Sequence, residues 1–363
     1  MTYRATDATW QDFCKAELEI LQPLLARLGF ALDEQQIHLG GERSVISGKK
    51  LVLLGYRISD HKPIVIKAST HPDGRKEMEQ RHAARVLLDD IKFAYNVFLS
   101  PEELVWHDEN GCLVSITAFI DQPITFLERP LKEQFFLAMK AFETQESAHA
   151  TTYEHQKMIR GSFRVYTSDT YLSMLEAYRE TILSHFQQRT DLQALLDHVF
   201  DTLCSQKSRI EQYCGFLTHT DFVPHNIRVI NRDIYLLDHY AIRFANKYEG
   251  WARFLNFMLL YHRELEQALL MYVKENRAPE EYETLHLMRL FRLTELVAYY
   301  VKRLEKTGGN LHLLDEARVE FWIDALQAQV EHRLLPQTRI TEYQQLRDNL
   351  RSNEEKRRQE RLH

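Results

Sequence analysis

Residues 217–240 read LTHTDFVPHNIRVINRDIYLLDHY, and this stretch decides how the rest of the chain is interpreted. Residues 227–230 and 234–237 are short runs of β-prone side chains, and the Asn-Arg-Asp segment between them has the composition of a turn. The pattern therefore predicts an antiparallel hairpin in which Ile230 faces Ile234. In that register Asn226 stands opposite Asp238, at a Cβ separation of about 4.5–5.5 Å.

An amide oxygen and a carboxylate directed at one point form a donor set that a hard cation such as Mg²⁺ prefers. Asp221 lies five residues before Asn226, and Pro224 keeps the intervening loop from becoming helix. Asp221 is thereby placed close to the cation without being required as a ligand. An aspartate that accepts a hydroxyl proton, an asparagine five residues later and an aspartate after the next strand are the phosphoryl-transfer parts of protein kinases.

With His-Thr-Asp at residues 219–221 in place of the His-Arg-Asp of protein kinases, the stretch most resembles the aminoglycoside phosphotransferase and choline kinase-like superfamily. The resemblance implies an α+β, bilobal protein kinase-like fold, with a small antiparallel β lobe containing one helix and a large, mostly helical lobe. It implies ATP and Mg²⁺ as cofactors, Asp221, Asn226 and Asp238 as catalytic residues, and the last two as metal ligands. His219 is expected to tether the loop.

The stretch differs at two places from the patterns that it resembles. Thr220 stands where the superfamily usually has glycine, and the Asp-His-Tyr of residues 238–240 replaces the Asp-Phe-Gly of protein kinases. The superfamily also places a bracing aspartate near Asn256. This chain has Arg253 and Asn256 there instead, and Asn256 is expected to hydrogen-bond the loop in its place.

Upstream of this stretch the chain is rich in β-prone residues. Runs at residues 37–39, 51–58, 64–68, 104–107 and 112–121 are separated by turn residues and predict five antiparallel strands, with one helix at about residues 74–90. From Leu127 onwards the apolar residues follow the helical period. We expect an N-terminal amphipathic helix (1–30), a β-rich nucleotide-binding lobe (31–121), a helical catalytic and substrate lobe (122–335), and a charged, solvated C-terminal tail (336–363).

Lys67 follows an apolar residue on its own face of the run 64–68, which predicts partial burial. A buried ammonium needs an anion, and the resemblance implies that Lys67 orients the nucleotide phosphates while a glutamate of the next helix pairs with it. That helix offers Glu77 and Glu79. We favour Glu79, because Ala83 and Val86 lie four and seven residues further on and predict an inward face.

Further nucleotide contacts are expected from two segments. Gly40 and Gly41, followed by Ser44, predict a loop whose backbone N–H groups approach phosphate oxygens, although an ordinary hairpin turn has the same composition. The resemblance implies that the backbone from Ala118 to Ile120 hydrogen-bonds adenine.

Composition limits the function classes. The chain has 363 residues, 44% of them hydrophobic, and a net charge of −6, which argues against nucleic acid or an anionic membrane as a partner and suits a cationic acceptor. Four widely spaced cysteines and the lack of a signal-peptide pattern predict a cytoplasmic protein.

These features predict a kinase that moves the γ-phosphate of ATP to a hydroxyl of a small molecule of the aminoglycoside, choline, sugar or amino alcohol type. Two alternatives stay open. The missing bracing aspartate is typical of a catalytically weak, pseudokinase-like nucleotide-binding module. A zinc-dependent hydrolase is the other, since histidines and aspartates cluster in the stretch, at His219, Asp221, His225, Asp238 and His239.

Overall fold

The computed structural model describes residues 10–34, 36, 39, 50–91, 93, 98–149, 153–353 and 356. These residues divide into two compact units. The first contains the described residues up to 83, Ser100–Asp121 and the described residues of Ser352–Leu362, and the second contains those of Ala84–Leu99 and Gln122–Arg351. The division after Asp121 coincides with the point where the sequence changes from the strand period to the helical period.

The first unit is an antiparallel sheet covered by a helix. The helix α1 (Trp10–Leu28) ends at Gly29, whose φ of 84° lies in the left-handed region that glycine adopts without strain. The sheet has the strand order β1-β2-β3-β5-β4. Its strands are β1 (Phe30–Leu32), β2 (Leu51–Arg57), β3 (Pro63–Ser69), β4 (Glu103–Glu109) and β5 (Cys112–Ala118).

The core of this unit forms because α1 and the strands both present apolar side chains at their own periods. Leu21, Leu24 and Leu25 of α1 pack in one buried cluster with alternate residues of the strands, such as Leu53 and Ile66. The helix α2 (Pro72–Asp90) follows β3. The predicted five-stranded sheet with a helix is confirmed. Its first strand is Phe30–Leu32, while most of the predicted strand 37–39 lies outside the described residues.

The second unit is mostly helical and contains two short strand pairs. The strands are β6 (Phe216–His219), which pairs with β9 (Ile242–Ala245), and β7 (Ile227–Ile230), which pairs with β8 (Asp233–Leu236). The helices are α3 (Leu131–Ser147), α4 (Tyr153–Ser162), α5 (Ser168–His185), α6 (Thr190–Ser205), α7 (Lys207–Gln212), α8 (Tyr248–Tyr261), α9 (Arg263–Asn276), α10 (Pro279–Leu304), α11 (Gly309–Val330) and α12 (Gln337–Leu350).

The helix α10 lies at the centre of this unit and contacts α5, α8 and α11. Pro279 occupies its first turn, and Lys302 and Arg303 occupy its last turn, where positive charge complements the helix dipole. Its buried face carries two arginines that are paired rather than isolated. Arg289 forms an ion pair with Glu266 of α9, and Arg292 lies 3.2 Å from Glu249 of α8.

The expectation that residues after 336 form a solvated tail was wrong for α12. Ile340 and Tyr343 are buried, and the ring of Tyr343 stacks on Phe321 of α11 with centroids 4.2 Å apart. Arg347 follows on the same face and its side chain is only 11% exposed, so the charged composition of α12 hides a packed face. None of the described helices is long and apolar enough to cross a membrane.

A cavity of about 130 Å³ in the helical unit contains a pair of histidines. The ring of His286 stacks on His332 with centroids 4.5 Å apart, and its Nδ1 lies 2.6 Å from Nε2 of Gln329. Burial, followed by electrostatic interaction with His332 and Arg289, lowers the pKa of His286 from 6.5 to about 4. A buried histidine with a lowered pKa resists protonation in the folded state.

We therefore expect the protein to lose stability as the pH falls. Below about pH 6.5 the unfolded chain binds a proton at His286 that the folded chain does not bind, which removes about 2 kcal/mol from the free energy of unfolding between about pH 7 and pH 5. His286→Gln should reduce this pH dependence in urea denaturation. The control is His198→Gln, a substitution of an exposed histidine on α6, which should leave the pH dependence as it is. Equal pH dependence in the His286→Gln variant and the wild type would contradict the assignment.

Candidate functional site

The hairpin of the decisive stretch is present, with a register that differs from the predicted one. Ile230 pairs with Asp233 rather than with Ile234, so the turn contains two residues instead of three. Asn231, the first of these, has a φ of 56°, a left-handed conformation that asparagine tolerates better than most residues. The residue Asp233 therefore extends β8 instead of completing the turn.

The shorter turn changes what Asn226 faces. The N–H of Leu237 donates a hydrogen bond to the carbonyl oxygen of Asn226 at 2.9 Å. The prediction that Asn226 stands directly opposite Asp238 was therefore wrong by one residue. Asp238 still comes next along the chain, so both candidate metal ligands lie at the same end of the hairpin.

Asn226 and Asp221 are joined directly. The side-chain Nδ2 of Asn226 donates to the carbonyl oxygen of Asp221 at 2.9 Å and to its carboxylate Oδ2 at 2.8 Å. Pro224 begins the short 3-10 turn, Pro224–Asn226, that carries the amide back towards the aspartate. Because Nδ2 is engaged with Asp221, Oδ1 is the amide atom left to ligate a cation.

Two hydrogen bonds hold Asp238 in place. Its Oδ1 accepts the N–H of Tyr240 at 3.2 Å, and its carbonyl oxygen accepts a hydrogen bond from Nε2 of His219 at 2.7 Å. The His219 ring is fully buried, and burial lowers its pKa, so the neutral ring tethers the loop as the sequence predicted. The oxygens of Asn226 and Asp238 form a donor set that suits Mg²⁺.

Arg253 of α8 contacts Asp221. Its Nε lies 2.8 Å from Oδ1 of the carboxylate, and the two side chains are 16% and 36% exposed, respectively. Burial raises the pKa of Asp221, but the positive charges around it, that of Arg253 first, outweigh burial and hold the pKa well below its usual range. Asp221 is therefore ionised at neutral pH.

The loop that carries Asp221 is held by residues other than the predicted one. Gln145 of α3 accepts the backbone N–H of His219 through Oε1 at 2.9 Å, and the hydroxyl of Thr220 donates to the carbonyl oxygen of Ala241 at 2.8 Å. The prediction that Asn256 hydrogen-bonds the loop was wrong. Its amide binds the carbonyl oxygen and the Nε of Arg289, because α8 turns this residue towards α10.

The zinc alternative finds no support in the geometry. The part of the chain that the structure describes, which includes residues 217–240, contains no group of three or more His, Cys, Asp or Glu side chains that could hold a metal ion. The ring of His219 contacts the backbone carbonyl of Asp238 instead. A structural or catalytic zinc site needs at least three such protein ligands.

Gly250 lets the first turn of α8 approach the backbone at His219 closely. A Cβ atom at this position would lie 2.7 Å from the carbonyl oxygen of His219 and 3.1 Å from Oγ1 of Thr218. Backbone atoms cannot move aside as a flexible side chain can. We expect Gly250→Ala to lower the free energy of unfolding by about 1–3 kcal/mol, as overpacking does.

The matched control for Gly250→Ala is Gly161→Ala in α4, where an added Cβ meets nothing within 4 Å. Alanine favours helix over glycine by about 1 kcal/mol, so the control should be neutral or stabilising in urea denaturation. If both variants were equally stable, the close approach of α8 to the loop would be refuted.

In the first unit Lys67 is half-buried, as the alternation of β3 predicted. It pairs across the sheet with Ser115 of β5. The hydroxyl of Ser115 donates to Glu103 of β4 at 3.0 Å, and the side chain of Glu103 is only 9% exposed. Side chains that stand opposite each other share one face of a sheet, so a buried carboxylate lies one side chain away from Lys67.

The inward orientation predicted for Glu79 was wrong. Its side chain is 57% exposed and lies 4.0 Å from Arg75, one turn earlier on α2. Val86, which was expected on the same inward face, is 41% exposed, and Met78 is buried instead. The face of α2 that packs is therefore the face of Met78, one residue away from the predicted one.

The other nucleotide contacts are only partly described. Gly40, Gly41 and Ser44 lie outside the described residues. Ala118 is the last residue of β5, and its N–H donates to the carbonyl oxygen of Glu102 at 2.8 Å. Among the described residues, the N–H of Ile120 donates no backbone hydrogen bond, which keeps it as a candidate for adenine.

Comparison with solved structures places this architecture among known folds. Aminoglycoside phosphotransferase APH(4)-Ia, in a thermostable mutant form, matches with a TM-score of 0.56 at 14% identity over 83% of this chain and 97% of that chain. APH(2'')-Ib bound to ADP matches with a TM-score of 0.55 at 16% identity over 86% and 98%. The chain has the kinase-like fold of the aminoglycoside phosphotransferases. Comparison with models of known families finds no match, and neither does a search of curated proteins.

The aminoglycoside phosphotransferase fold confirms the α+β, kinase-like architecture that the motif of residues 219–226 predicted. The contact of Gln145 with the loop was not predicted, because a polar residue on a helix carries no signal of what it contacts. Arg253 was identified only as a departure from the superfamily pattern. Glu103 was also missed, since a glutamate in an edge strand usually faces solvent.

Proposed function

We propose that this protein transfers the γ-phosphate of ATP to a hydroxyl group of a small molecule, with Mg²⁺ as cofactor. The observation that carries the proposal is the hydrogen bond of Asn226 to both the carbonyl and the carboxylate of Asp221, at 2.9 and 2.8 Å. It joins a proton acceptor to a cation ligand at the end of a hairpin. These are the parts that phosphoryl transfer requires, since this reaction depends on positioning and charge neutralisation.

Asn226 and Asp238 would hold Mg²⁺, which supplies positive charge to the phosphate oxygens when bound. Lys67 would orient the α- and β-phosphates. Asp221 would orient the acceptor hydroxyl. During transfer the bond from the γ-phosphorus to the β–γ bridging oxygen breaks, and a bond from the γ-phosphorus to the acceptor oxygen forms. The hydroxyl proton passes to Asp221 and then to solvent, and ADP leaves.

The low pKa of Asp221 suits this chemistry. Burial alone would raise that pKa, but Arg253 and the other positive charges lower it, so the carboxylate is a weak base. The transition state of phosphoryl transfer is loose, and the attacking oxygen becomes acidic only late. A weak base that is always ionised can then orient the hydroxyl throughout and accept the proton at the end.

The solved structures of similar fold support nucleotide and a small-molecule hydroxyl as partners. Members of this set contain ADP with hygromycin B, GDP with kanamycin, or ATP with streptomycin. The proposal is tested by titrating the purified protein with ATP in the presence and absence of Mg²⁺, and by measuring ADP release over a panel of hydroxyl compounds. Binding of Mg-ATP with acceptor-dependent ADP release is the expected result. No binding of Mg-ATP would reject the proposal.

A second candidate is a nucleotide-binding module that does not transfer phosphate. It is favoured by the ion pair of Arg253 with Asp221, at 2.8 Å, which occupies one oxygen of the carboxylate. Release of radiolabelled phosphate from γ-labelled ATP separates the two functions. Acceptor-independent hydrolysis at a measurable rate argues for the enzyme, whereas tight nucleotide binding with no release for any acceptor argues for the module.

A further inference from the structure

Arg228 lies beside the candidate site without an acidic partner. It follows Asn226 by two residues, and its Nη1 donates to the carbonyl oxygens of His225 and Ile227 at 3.4 and 2.8 Å. In the part of the chain that the structure describes, no carboxylate lies within ion-pair distance of its guanidinium. The Arg228 side chain is half-buried. A buried cation without a partner is costly unless an anion joins it.

Two further arginines flank Tyr240, whose N–H binds the Asp238 carboxylate. The guanidinium of Arg243 lies 5.0 Å from the centre of the Tyr240 ring, and that of Arg164 lies 5.8 Å from it. Arg243 donates to the carbonyl oxygens of Tyr240 and Ile242. Neither arginine forms an ion pair with any described residue, so both guanidinium groups keep donors for an external anion.

The acidic groups of the site already have a partner or a proposed role. Asp221 is paired with Arg253 at 2.8 Å, and Asp238 is the proposed ligand of a divalent cation. Glu249 of α8 is buried and lies 3.2 Å from Arg292. A cationic acceptor would therefore find these carboxylates already engaged, whereas an anionic acceptor would be attracted by the guanidinium groups of Arg164 and Arg243.

We propose that the acceptor is an anionic small molecule, a hydroxyl compound that carries a carboxylate or phosphate group, and that Arg164 and Arg243 bind this group. The inference rests on the proposed phosphotransferase function and specifies its substrate class. It departs from the cationic acceptor that the net charge of the chain suggested. The aminoglycosides found in structures of similar fold are amines, so the fold is shared while the local charge of the acceptor site differs.

The triphosphate of the nucleotide is the other anion that would suit these arginines. The acceptor is the better candidate for the anion that they bind, because Mg²⁺ and Lys67 already neutralise the charge of the phosphates in the proposed function. Arginine is also suited to planar carboxylates and to phosphates, since its donors form a fixed fork. The two sources differ in which kinetic constant responds when an arginine is removed.

The first arm of the test uses acceptors that share a skeleton and differ in charge. ADP release from Mg-ATP is measured with glycerate and gluconate, with their neutral matches glycerol and glucose, with glycerol 3-phosphate, and with the cations choline and kanamycin. We expect kcat/KM for at least one anionic acceptor to exceed that of its neutral match by about 10-fold or more, as one charge-assisted hydrogen bond provides. Choline and kanamycin should give no stimulation.

The second arm uses Arg243→Gln and Arg164→Gln. Arg164 is exposed, so its substitution is expected to leave the fold intact. Each should raise the KM of the best anionic acceptor by about 10–100-fold while the KM for ATP stays unchanged. A rise in the KM for ATP instead would assign these arginines to the nucleotide and overturn the proposal. The matched control is Arg189→Gln, at the start of α6, where Arg189 is paired with Asp191 and Glu320.

The outcomes separate this inference from the function on which it rests. Failure to bind Mg-ATP would reject the phosphotransferase itself. Mg-ATP binding with stimulation by choline or kanamycin, with a neutral compound used as well as its anionic match, or with no response to any anionic compound, would overturn the anionic acceptor and leave the nucleotide chemistry standing. Anion-dependent ADP release that is lost in the Arg243 and Arg164 variants would support the inference.

Discussion

Asp221→Asn is expected to reduce kcat by about 10²–10⁴-fold while the protein still binds Mg-ATP. Asparagine cannot accept the hydroxyl proton. Its amide group would also place an N–H donor against either Nε of Arg253 or Nδ2 of Asn226, which donate to different oxygens of the native carboxylate. The acceptor hydroxyl would then lose its orientation as well as its proton acceptor. Steady-state ADP release measures the first effect, and a thermal-shift titration with Mg-ATP measures binding.

The control for this substitution is Asp233→Asn. Asp233 belongs to the same hairpin, but its side chain is 62% exposed and contacts Lys140 at 3.5 Å. This variant should keep wild-type turnover. Wild-type turnover in Asp221→Asn would show that Asp221 does not orient the hydroxyl. A variant that failed to fold would lose nucleotide binding as well as turnover, and circular dichroism would detect it.

The type of fold could be predicted from the sequence because local patterns indicate it. The strand and helix periods, the turn residues and the short motif of residues 219–226 each depend on neighbours in the chain, so they can be read without knowing the tertiary contacts. The hairpin register was off by one residue. Both a two-residue and a three-residue turn suit Asn-Arg-Asp, and only the pairing of Asp233 with Ile230 distinguishes them.

Charge partners could not be predicted because they depend on tertiary contacts. Arg253 reaches Asp221 across 32 residues, and Gln145 reaches the N–H of His219 across 74. No periodic pattern in the sequence links residues that are so far apart in the chain. The orientation of Glu79 was assigned from Ala83 and Val86, but an amphipathic stripe on a polar helix such as α2 is too weak to fix which face is buried.

Asp238→Ala is expected to abolish the increase in melting temperature that Mg-ATP gives the wild type. A ligand that binds only the folded state stabilises it by RT ln(1 + [L]/Kd), about 2.7 kcal/mol at 100 times Kd. Mg²⁺ needs oxygen ligands from the protein to couple its binding to that of the nucleotide. With the carboxylate removed, Asn226 would supply the only side-chain oxygen of the proposed metal site, which is too few to hold the cation.

The variant also loses the hydrogen bond from the N–H of Tyr240 to Oδ1, which lowers stability by about 1 kcal/mol without ligand. The ligand-induced shift is therefore compared with the ligand-free melting temperature of the same variant. Asp233→Ala, in the neighbouring strand, is the matched control and should keep the full shift. If Mg-ATP raised the melting temperature of Asp238→Ala as much as that of Asp233→Ala, then Asp238 would not be a metal ligand and the cation would have to lie elsewhere in the chain.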